Sequence, residues 1–171
     1  MHTAESELLV RAYVGIGSNL DDPCAQVLRA IAELDEIPGS CCVRTSSLYR
    51  SRPMGPADQP DFVNAVAALD TTLPVLRLFE HLQALELRHG RVRGGQPWGP
   101  RTLDLDLLTY GDIRVADDTL TVPHPGVLQR DFVLHPLYEI APDLCLPGHG
   151  SIADYLATCA GHGLERLRSP A

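Results

Sequence analysis

Hydrophobic and polar residues alternate along some segments of this chain and recur at helical spacing along others. A period of two predicts strands, whereas apolar residues three and four positions apart predict amphipathic helices. The predicted elements are, in chain order, a strand over Arg11–Gly17, a helix between Asp22 and Gly39, strands over Cys41–Arg50 and Phe62–Thr71, a helix between Pro74 and Gly90, and a strand over Thr102–Tyr110.

The segments between and after these elements lack such periods. Gly17-Ser18-Asn19 is typical of a tight turn, and Ser51–Asp61 and Arg91–Arg101 are long loops rich in glycine and proline. Beyond them we expect a short strand or helix near Phe132–Ile140 and a last helix after Ser151. The chain therefore ends in a weakly patterned extension.

The order β-α-β-β-α-β predicts an α+β, ferredoxin-like fold with an antiparallel sheet, two helices on one face, and this C-terminal extension. The other face, which we expect to be free of helices, can then carry a ligand. We expect residues 1–171 to form a single catalytic domain, with residues 1–9 as a disordered extension. The fold alone does not indicate an activity.

The charge of the chain excludes several classes of function. The net charge is −8, which argues against a protein that binds nucleic acid or an anionic membrane surface. All 14 basic residues are arginine, so a P-loop, a Schiff-base lysine and a protein-kinase fold are excluded.

Five cysteines without a C-x-x-C pair predict neither a disulfide framework nor a zinc site. Without an apparent signal peptide or spanning segment, we expect a cytoplasmic monomer.

The strongest local signal is Leu103-Asp104-Leu105-Asp106-Leu107. Because side chains alternate along a strand, the leucines should point to the core and both aspartates to the other face. Two carboxylates so close repel each other, and a divalent cation such as Mg²⁺, shared with substrate phosphates, would relieve the repulsion. An amphipathic strand with one solvated face is the alternative.

An arginine-rich loop precedes this strand. Between Leu87 and Leu103 there is no acidic residue, and the basic residues are Arg88, Arg91, Arg93 and Arg101. Arginine beside Mg²⁺-binding carboxylates is typical of phosphoryl-type transfer, because both stabilise charge on phosphate oxygens. Four solvated surface residues are the alternative.

The scarce aromatic residues suggest contacts with a planar ligand. Trp98, the single tryptophan, lies in the loop and either closes over such a ligand or anchors the loop by packing. Phe62 and Phe132 either belong to the core or sandwich a flat ring. Asn64 follows Phe62 on the same strand face, where its amide can bind the edge of a heterocycle or simply face water.

Three polar residues elsewhere have equally open roles. His124, between two prolines, is either a phosphate or ribose contact or a structural histidine. Gln83 and Glu86 flank the apolar stripe of the second helix, where they face either a nucleotide or water.

Taken together, these segments resemble the 6-hydroxymethyl-7,8-dihydropterin pyrophosphokinase family of folate biosynthesis. The resemblance runs from about Ala12 to Leu144. The segments that carry it are Gly17-Ser18-Asn19-Leu20, Gln59-Pro60-Asp61-Phe62-Val63-Asn64, Gly90-Arg91-Val92-Arg93, Trp98-Gly99-Pro100-Arg101-Thr102-Leu103-Asp104-Leu105-Asp106, and Val122-Pro123-His124-Pro125 with Arg130 and Phe132.

The resemblance implies transfer of pyrophosphate from ATP to the hydroxymethyl group of the pterin, with release of AMP. It implies that Asp104 and Asp106 hold two Mg²⁺ ions, and that Arg91 and Arg101 act on the phosphates. The implied ATP-binding residues are Gln83, Glu86, Arg93, Trp98, Leu107, His124 and Arg130. The implied pterin-binding residues are Ser51, Met54, Phe62, Asn64, Trp98 and Phe132.

The chain departs from the family pattern at some basic positions. Gly94, Pro97 and Thr119 stand where some relatives carry basic residues. Binding of the triphosphate should then depend more on the remaining arginines, which are Arg91, Arg93, Arg101 and Arg130.

Two other functions compete with this interpretation. A palm-type nucleotidyltransferase also places paired aspartates on a ferredoxin-like sheet, but it releases pyrophosphate instead of AMP. A ferredoxin-like small-molecule sensor, or a relative that binds pterin without turnover, would not consume ATP in the presence of Mg²⁺.

Overall fold

The computed structural model describes residues 8–53, 55, 58–90, 102–159 and 163–168. Its elements are, in chain order, β1 Val10–Ser18, α1 Pro23–Leu34, β2 Ser40–Thr45, β3 Leu48–Ser51, β4 Phe62–Thr71, α2 Val75–Arg88, β5 Asp104–Tyr110, β6 Val115–Ala116, β7 Thr121–Val122, α3 Asp131–Ile140, β8 Cys145–Leu146, β9 Gly150–Ser151, a 3-10 turn Ile152–Tyr155, and β10 Glu165–Arg168.

An antiparallel sheet in the order β10-β3-β4-β1-β5 forms the centre of the fold, and β2 also pairs with β4. The pairing of β1 with β4 and β5 is antiparallel throughout, with one irregularity in the β1–β5 register. This is the predicted βαββαβ arrangement, so the ferredoxin-like fold class is confirmed.

Helices α1 and α2 cover one face of the sheet. Their apolar stripes pack on alternate residues of β1, β4 and β5. The strand residues of this core are Ala12, Val14, Ile16, Val63, Ala65, Ala67, Leu69, Leu105 and Leu107. The start of α1 follows the sequence expectation, because the side chain of Asp22 accepts a hydrogen bond from Ala25 N at 3.4 Å and Pro23 occupies the first turn.

The opposite face, called here the α3 face, is not free of helices as the sequence predicted. Helix α3 and the C-terminal segment pack on Tyr13, Val66, Ala68 and Leu108. They bury a second apolar cluster, because these strand residues are too hydrophobic to be left in water. The remaining part of the face, toward Asp104, is the part that can carry a ligand.

The predicted strand Cys41–Arg50 is two strands, β2 and β3. The break falls at Ser46 and Ser47, where side chains take part in hydrogen bonds with residues that are remote in sequence. Ser46 Oγ accepts a hydrogen bond from Val66 N at 2.9 Å, and Ser47 N donates to the carboxylate of Glu139. Serine hydroxyls compete with the backbone in this way, which interrupts regular pairing.

The prediction for the C-terminal segment was also wrong. Among the described residues after Ser151, the one helical element is a 3-10 turn, and residues 165–168 form β10, which pairs with β3. The segment 132–140, left open as strand or helix, lies in helix α3. None of the helices in the described ranges is long and apolar enough to cross a bilayer.

Glu139 connects α3 to the sheet. Its carboxylate accepts hydrogen bonds from Ser47 N at 3.0 Å, from Ser47 Oγ at 2.9 Å and from Tyr49 OH at 2.5 Å. Burial and this carboxylate raise the pKa of Tyr49 above its usual value. The side chain of Glu139 is 24% exposed, and Arg166 of β10 lies 3.7 Å away. One carboxylate therefore positions α3 against β3.

We predict that Glu139→Ala destabilises the protein by about 2–4 kcal/mol, because partly buried donors lose an ionised acceptor. Glu80→Ala is the matched control. Glu80 pairs only across exposed side chains with Arg77 on α2, so its loss should cost less than about 0.5 kcal/mol. Urea unfolding of both variants measures the difference, and equal midpoints would contradict this role of Glu139.

Candidate active site

Two polar residues, one on β4 and one on β5, lie on the α3 face on either side of a glycine of β1. In the β1–β4 register Gly17 lies opposite Asn64, and in the β1–β5 register it lies opposite Asp104. Residues opposite one another across antiparallel strands point to the same face. Asn64, Gly17 and Asp104 therefore form one row across the sheet, here called the Gly17 row.

The two aspartates of β5 point away from the α1/α2 core, as predicted. Leu103, Leu105 and Leu107 are buried in that core, whereas Asp104 and Asp106 are half-buried on the opposite face. Alternate residues of a strand are about 6.6–7 Å apart, so both carboxylates border one small volume.

This carboxylate pair fits Mg²⁺. The described ranges contain no group of three or more acidic, histidine or cysteine residues that could hold a metal. A site with two carboxylates suits Mg²⁺, which takes oxygen ligands and completes its octahedron with water and substrate phosphate. Asp104 and Asp106 could hold such an ion.

His124 lies beside the aspartates. Its backbone N–H donates a hydrogen bond to Leu108 O at 2.8 Å, which connects the turn after β7 to β5. Gly126 N donates to His124 Nδ1 at 3.0 Å, so the hydrogen of the neutral ring is on Nε2. Nε2 lies 3.8 Å from Asp106 Oδ1. Burial, and secondarily the charge of Arg130, lower the pKa of His124, so the neutral form is favoured.

Arg130 precedes α3 and folds back over Gly126. A Cβ atom at Gly126 would lie 2.7 Å from the Cζ atom of Arg130, so a larger residue would displace this guanidinium. The pKa of His124 responds to the charges of Arg130 and Asp104, so both residues lie near the histidine ring. The structure thus brings together the predicted residues Asp104, Asp106, His124 and Arg130.

The predicted ring-binding residues lie at the other end of the Gly17 row. Asn64 is 5% exposed, and its Nδ2 donates to Ser51 Oγ at 2.8 Å. Phe62 is half-buried and is in neither apolar cluster of the described residues. Phe132 of α3 is half-buried and packs against the second cluster. Phe62 is therefore the better candidate for a ligand contact.

Asn19 joins the segment after β1 to the segment before β4, which is about 40 residues further along the chain. Its Nδ2 donates to Gln59 Oε1 at 3.0 Å and to Pro60 O at 2.9 Å. This holds the end of the loop 51–61 against β1, so that Phe62 begins β4 at the site. Sequence reasoning assigned Asn19 only to a turn, and no pattern in the sequence indicates its partner.

That turn itself lies further along than predicted. β1 continues through Ser18, and the left-handed residues are Asp21 and Asp22, with φ of 54° and 60°. Aspartate tolerates this conformation because its short side chain bonds locally. Gly17 is consequently a strand residue.

The predicted nucleotide residues of α2 lie at the sheet edge formed by β5. Glu86 is buried, and its Oε2 accepts a hydrogen bond from Leu105 N at 3.2 Å. Leu107 is two residues after Leu105 on β5. Its backbone N–H and C=O therefore point to the same edge of the sheet, while its side chain is in the core. Gln83 is half-buried on α2. Glu86 is thus a structural acceptor as well as a candidate ligand contact.

Five predicted site residues, Met54, Arg91, Arg93, Trp98 and Arg101, lie outside the described residues.

Comparison with known proteins assigns the chain to a family. The model of the family described as 7,8-dihydro-6-hydroxymethylpterin-pyrophosphokinase (HPPK) matches residues 13–142. The chain belongs to this family. The matched range includes both aspartates of β5 and all three residues of the Gly17 row. Membership of the HPPK family favours a pyrophosphokinase over both the palm-type nucleotidyltransferase and the sensor.

Curated relatives agree with this assignment. A Pseudomonas aeruginosa protein named 2-amino-4-hydroxy-6-hydroxymethyldihydropteridine pyrophosphokinase is 49% identical over 160 residues, which are 94% of this chain and 98% of that protein. A Haemophilus influenzae protein of the same name is 43% identical over 159 residues, 93% of this chain and 99% of that protein.

Solved structures support the fold. The Plasmodium falciparum HPPK-DHPS wild type with pterin and p-hydroxybenzoate has a TM-score of 0.64 and 14% sequence identity to this chain. The match covers 91% of this chain and 44% of that longer one.

The positions of the two phenylalanines predict different effects on stability. Phe62→Ala should lower the free energy of unfolding by less than about 1.5 kcal/mol, because the ring lies outside both clusters. Phe132→Ala should lower it by about 2–4 kcal/mol, because the substitution opens space beside the second cluster. Denaturant unfolding of the two variants measures this difference. A larger loss for Phe62→Ala would show that its ring is a core residue.

Proposed function

We propose that this chain transfers pyrophosphate from ATP to the hydroxymethyl group of 6-hydroxymethyl-7,8-dihydropterin, a step of folate biosynthesis, with two Mg²⁺ ions at Asp104 and Asp106. Membership of the HPPK family supports the activity. The observation that supports the assignment of residues is the Gly17 row, because it brings the amide of Asn64 and the carboxylate of Asp104 to one face of the sheet.

The pterin lies at the Asn64 end of the row. Asn64 is held by Ser51 and keeps its carbonyl oxygen and a second N–H for the polar edge of a heterocycle. Phe62, beginning β4, and Phe132, on α3, stack on the two faces of the ring. Met54 and Trp98 are assigned to the same site from the family resemblance.

The triphosphate of ATP lies at the other end. Asp104 and Asp106 hold the metal, which when bound neutralises phosphate oxygens and lowers the pKa of a coordinated hydroxyl. Arg130 adds positive charge beside them, and neutral His124 offers its Nε2 hydrogen to an anionic oxygen. Arg91 and Arg101 stabilise the charge of the transferred group, and Arg93 binds the triphosphate.

The nucleoside lies along the edge of β5. There the backbone of Leu107 presents one donor and one acceptor, which suits the edge of a purine base. Gln83 and Glu86 on the adjacent α2 bind the nucleoside from the other side, and Glu86 is held at this edge by its hydrogen bond from Leu105 N.

In the reaction the hydroxymethyl oxygen of the pterin forms a bond to the β-phosphorus of ATP. The bond between that phosphorus and the oxygen bridging to the α-phosphorus breaks, and its electron pair leaves with AMP. The hydroxyl proton is lost to solvent. This chain's carboxylates and arginines contribute mainly by orienting the reactants and stabilising charge, as in other phosphoryl transfers.

The direct test is to incubate the protein with ATP, Mg²⁺ and the hydroxymethyl dihydropterin and to quantify AMP. AMP should form only with all three present, and chelation of Mg²⁺ should abolish it. Release of pyrophosphate or of ADP instead of AMP would contradict the proposed activity.

Asp104→Asn and Asp106→Asn should each lower the rate about 100-fold or more, because a charged ligand to a phosphate-bound metal is lost. Their melting temperatures should not fall, since removing one carboxylate relieves repulsion. Asp143→Asn is the control, because Asp143 is exposed beyond the far end of α3. Near-normal turnover of either strand variant at low Mg²⁺ would contradict the metal assignment.

A further inference from the structure

His89 is a buried, titratable residue that the proposed reaction does not use. It follows the last residue of α2, and its side chain is 1% exposed. The helix end is already capped by backbone hydrogen bonds, because His89 N donates to Leu85 O and Gly90 N donates to Leu87 O. The imidazole is therefore not needed to cap α2.

Both ring nitrogens of His89 instead meet polar side chains of α1. Nε2 lies 2.7 Å from Glu33 Oε1, whereas Nδ1 lies 2.6 Å from Gln26 Oε1 and 3.0 Å from Arg29 Nη2. The three α1 residues are spaced three and four positions apart, so they share one face of that helix. These four residues are called here the His89 cluster. The side chain of Glu33 is 19% exposed and that of Arg29 is 58% exposed, so the contact of His89 with Glu33 is better shielded from water.

The His89 cluster fixes a position that apolar packing alone does not fix. Helices α1 and α2 pack on the sheet through apolar stripes, and the free energy of apolar burial does not depend on direction. Hydrogen bonds require a defined distance and angle between donor and acceptor. An apolar pair of the same shape in place of a buried hydrogen-bonded pair can leave stability nearly unchanged. Position is thus a better explanation of the polar cluster than stability.

The position that the cluster fixes is that of Glu86. This residue lies three positions before His89 on α2 and is 6% exposed, and its Oε2 accepts a hydrogen bond from Leu105 N at 3.2 Å. Residues three positions apart are neighbours on a helix surface. A shift of the helix end at His89 would therefore move Glu86 along the edge of β5.

We propose that His89 is a positioning residue for the nucleotide. Through its contacts with Glu33 and Gln26 it holds the end of α2, so that Glu86 stays at the edge of β5 where the nucleoside lies. The imidazole is enclosed by the cluster and acts through Glu86 without touching the substrate. This inference rests on the proposed function, which places the nucleoside at that edge.

The test compares variants that break the contact between the helices with one that keeps it. His89→Leu and Glu33→Leu each remove one partner, and the double variant leaves an apolar pair of similar volume. His89→Gln retains one donor and one acceptor, so it can still bond to Glu33 and Arg29. His81→Leu is the matched control, because His81 lies on the same helix and its side chain forms no hydrogen bond with any of the described residues.

Calorimetry measures binding of a non-hydrolysable ATP analogue with Mg²⁺, and then binding of the hydroxymethyl pterin at saturating analogue. Both single leucine variants of the cluster should weaken analogue binding about fivefold or more, because a displaced Glu86 loses its contact with the nucleoside, while pterin affinity should change less than about twofold. The double variant should lose no more affinity than either single variant, because one contact is removed in all three. Its melting temperature should nevertheless lie closest to that of the wild type, because no buried polar partner is left alone. His89→Gln and His81→Leu should bind the analogue within about twofold of the wild type.

Unchanged analogue affinity in the double variant would show that the cluster only stabilises the fold, and would overturn the inference. Equal losses of analogue and pterin affinity, an equal loss in His81→Leu, or no recovery in His89→Gln would contradict it as well. The proposed function is judged separately by AMP formation in the wild type. A loss of analogue affinity confined to the leucine variants of the cluster supports this inference even if no AMP forms, whereas a wild type that does not bind the analogue contradicts both.

Discussion

The site depends on the hydrogen-bonded pairing of β1 with a strand on each side. Because β4 and β5 are both antiparallel to β1, their registers decide which side chains share a row on the α3 face. Those registers set Asn64 and Asp104 on either side of Gly17. A shift of either neighbour by one residue would turn its polar side chain into the α1/α2 core, so core burial and site geometry are fixed by the same pairing.

Helix α3 covers one part of the α3 face, and the polar residues lie on the other part. Toward one end, α3 covers Val66, Ala68 and Leu108, and toward the other end the face carries Asp104 and Asn64. Glu139 holds α3 in place through Ser47 and Tyr49 of the neighbouring segment, while Arg130 and Phe132 lie at the opposite end of the same helix. A single half-buried carboxylate thus connects the packing of the helix with the position of its site residues.

The βαββαβ order and the orientation of both aspartates could be predicted, because two-residue and helical periods are local properties of the sequence. The break at Ser46 and Ser47 could not, since it depends on Glu139, which is remote in sequence. Likewise β10 has no periodic signal, and its strand exists only because β3 offers an edge. Gly17 was predicted to end the strand and open a turn because glycine signals turns locally, whereas β1 continues through Ser18 by pairing with β4.

In the proposed complex, the polar edge of the pterin lies at the Asn64 end of the Gly17 row and its hydroxymethyl group lies at the Asp104 end. Nuclear relaxation by Mn²⁺ in place of Mg²⁺ tests it directly, with the ATP analogue and ¹³C-labelled hydroxymethyl pterin bound. We expect the strongest paramagnetic relaxation at the hydroxymethyl carbon and the weakest at the ring carbon that bears the amino group. Equal relaxation at both carbons, or the reverse order, would contradict it.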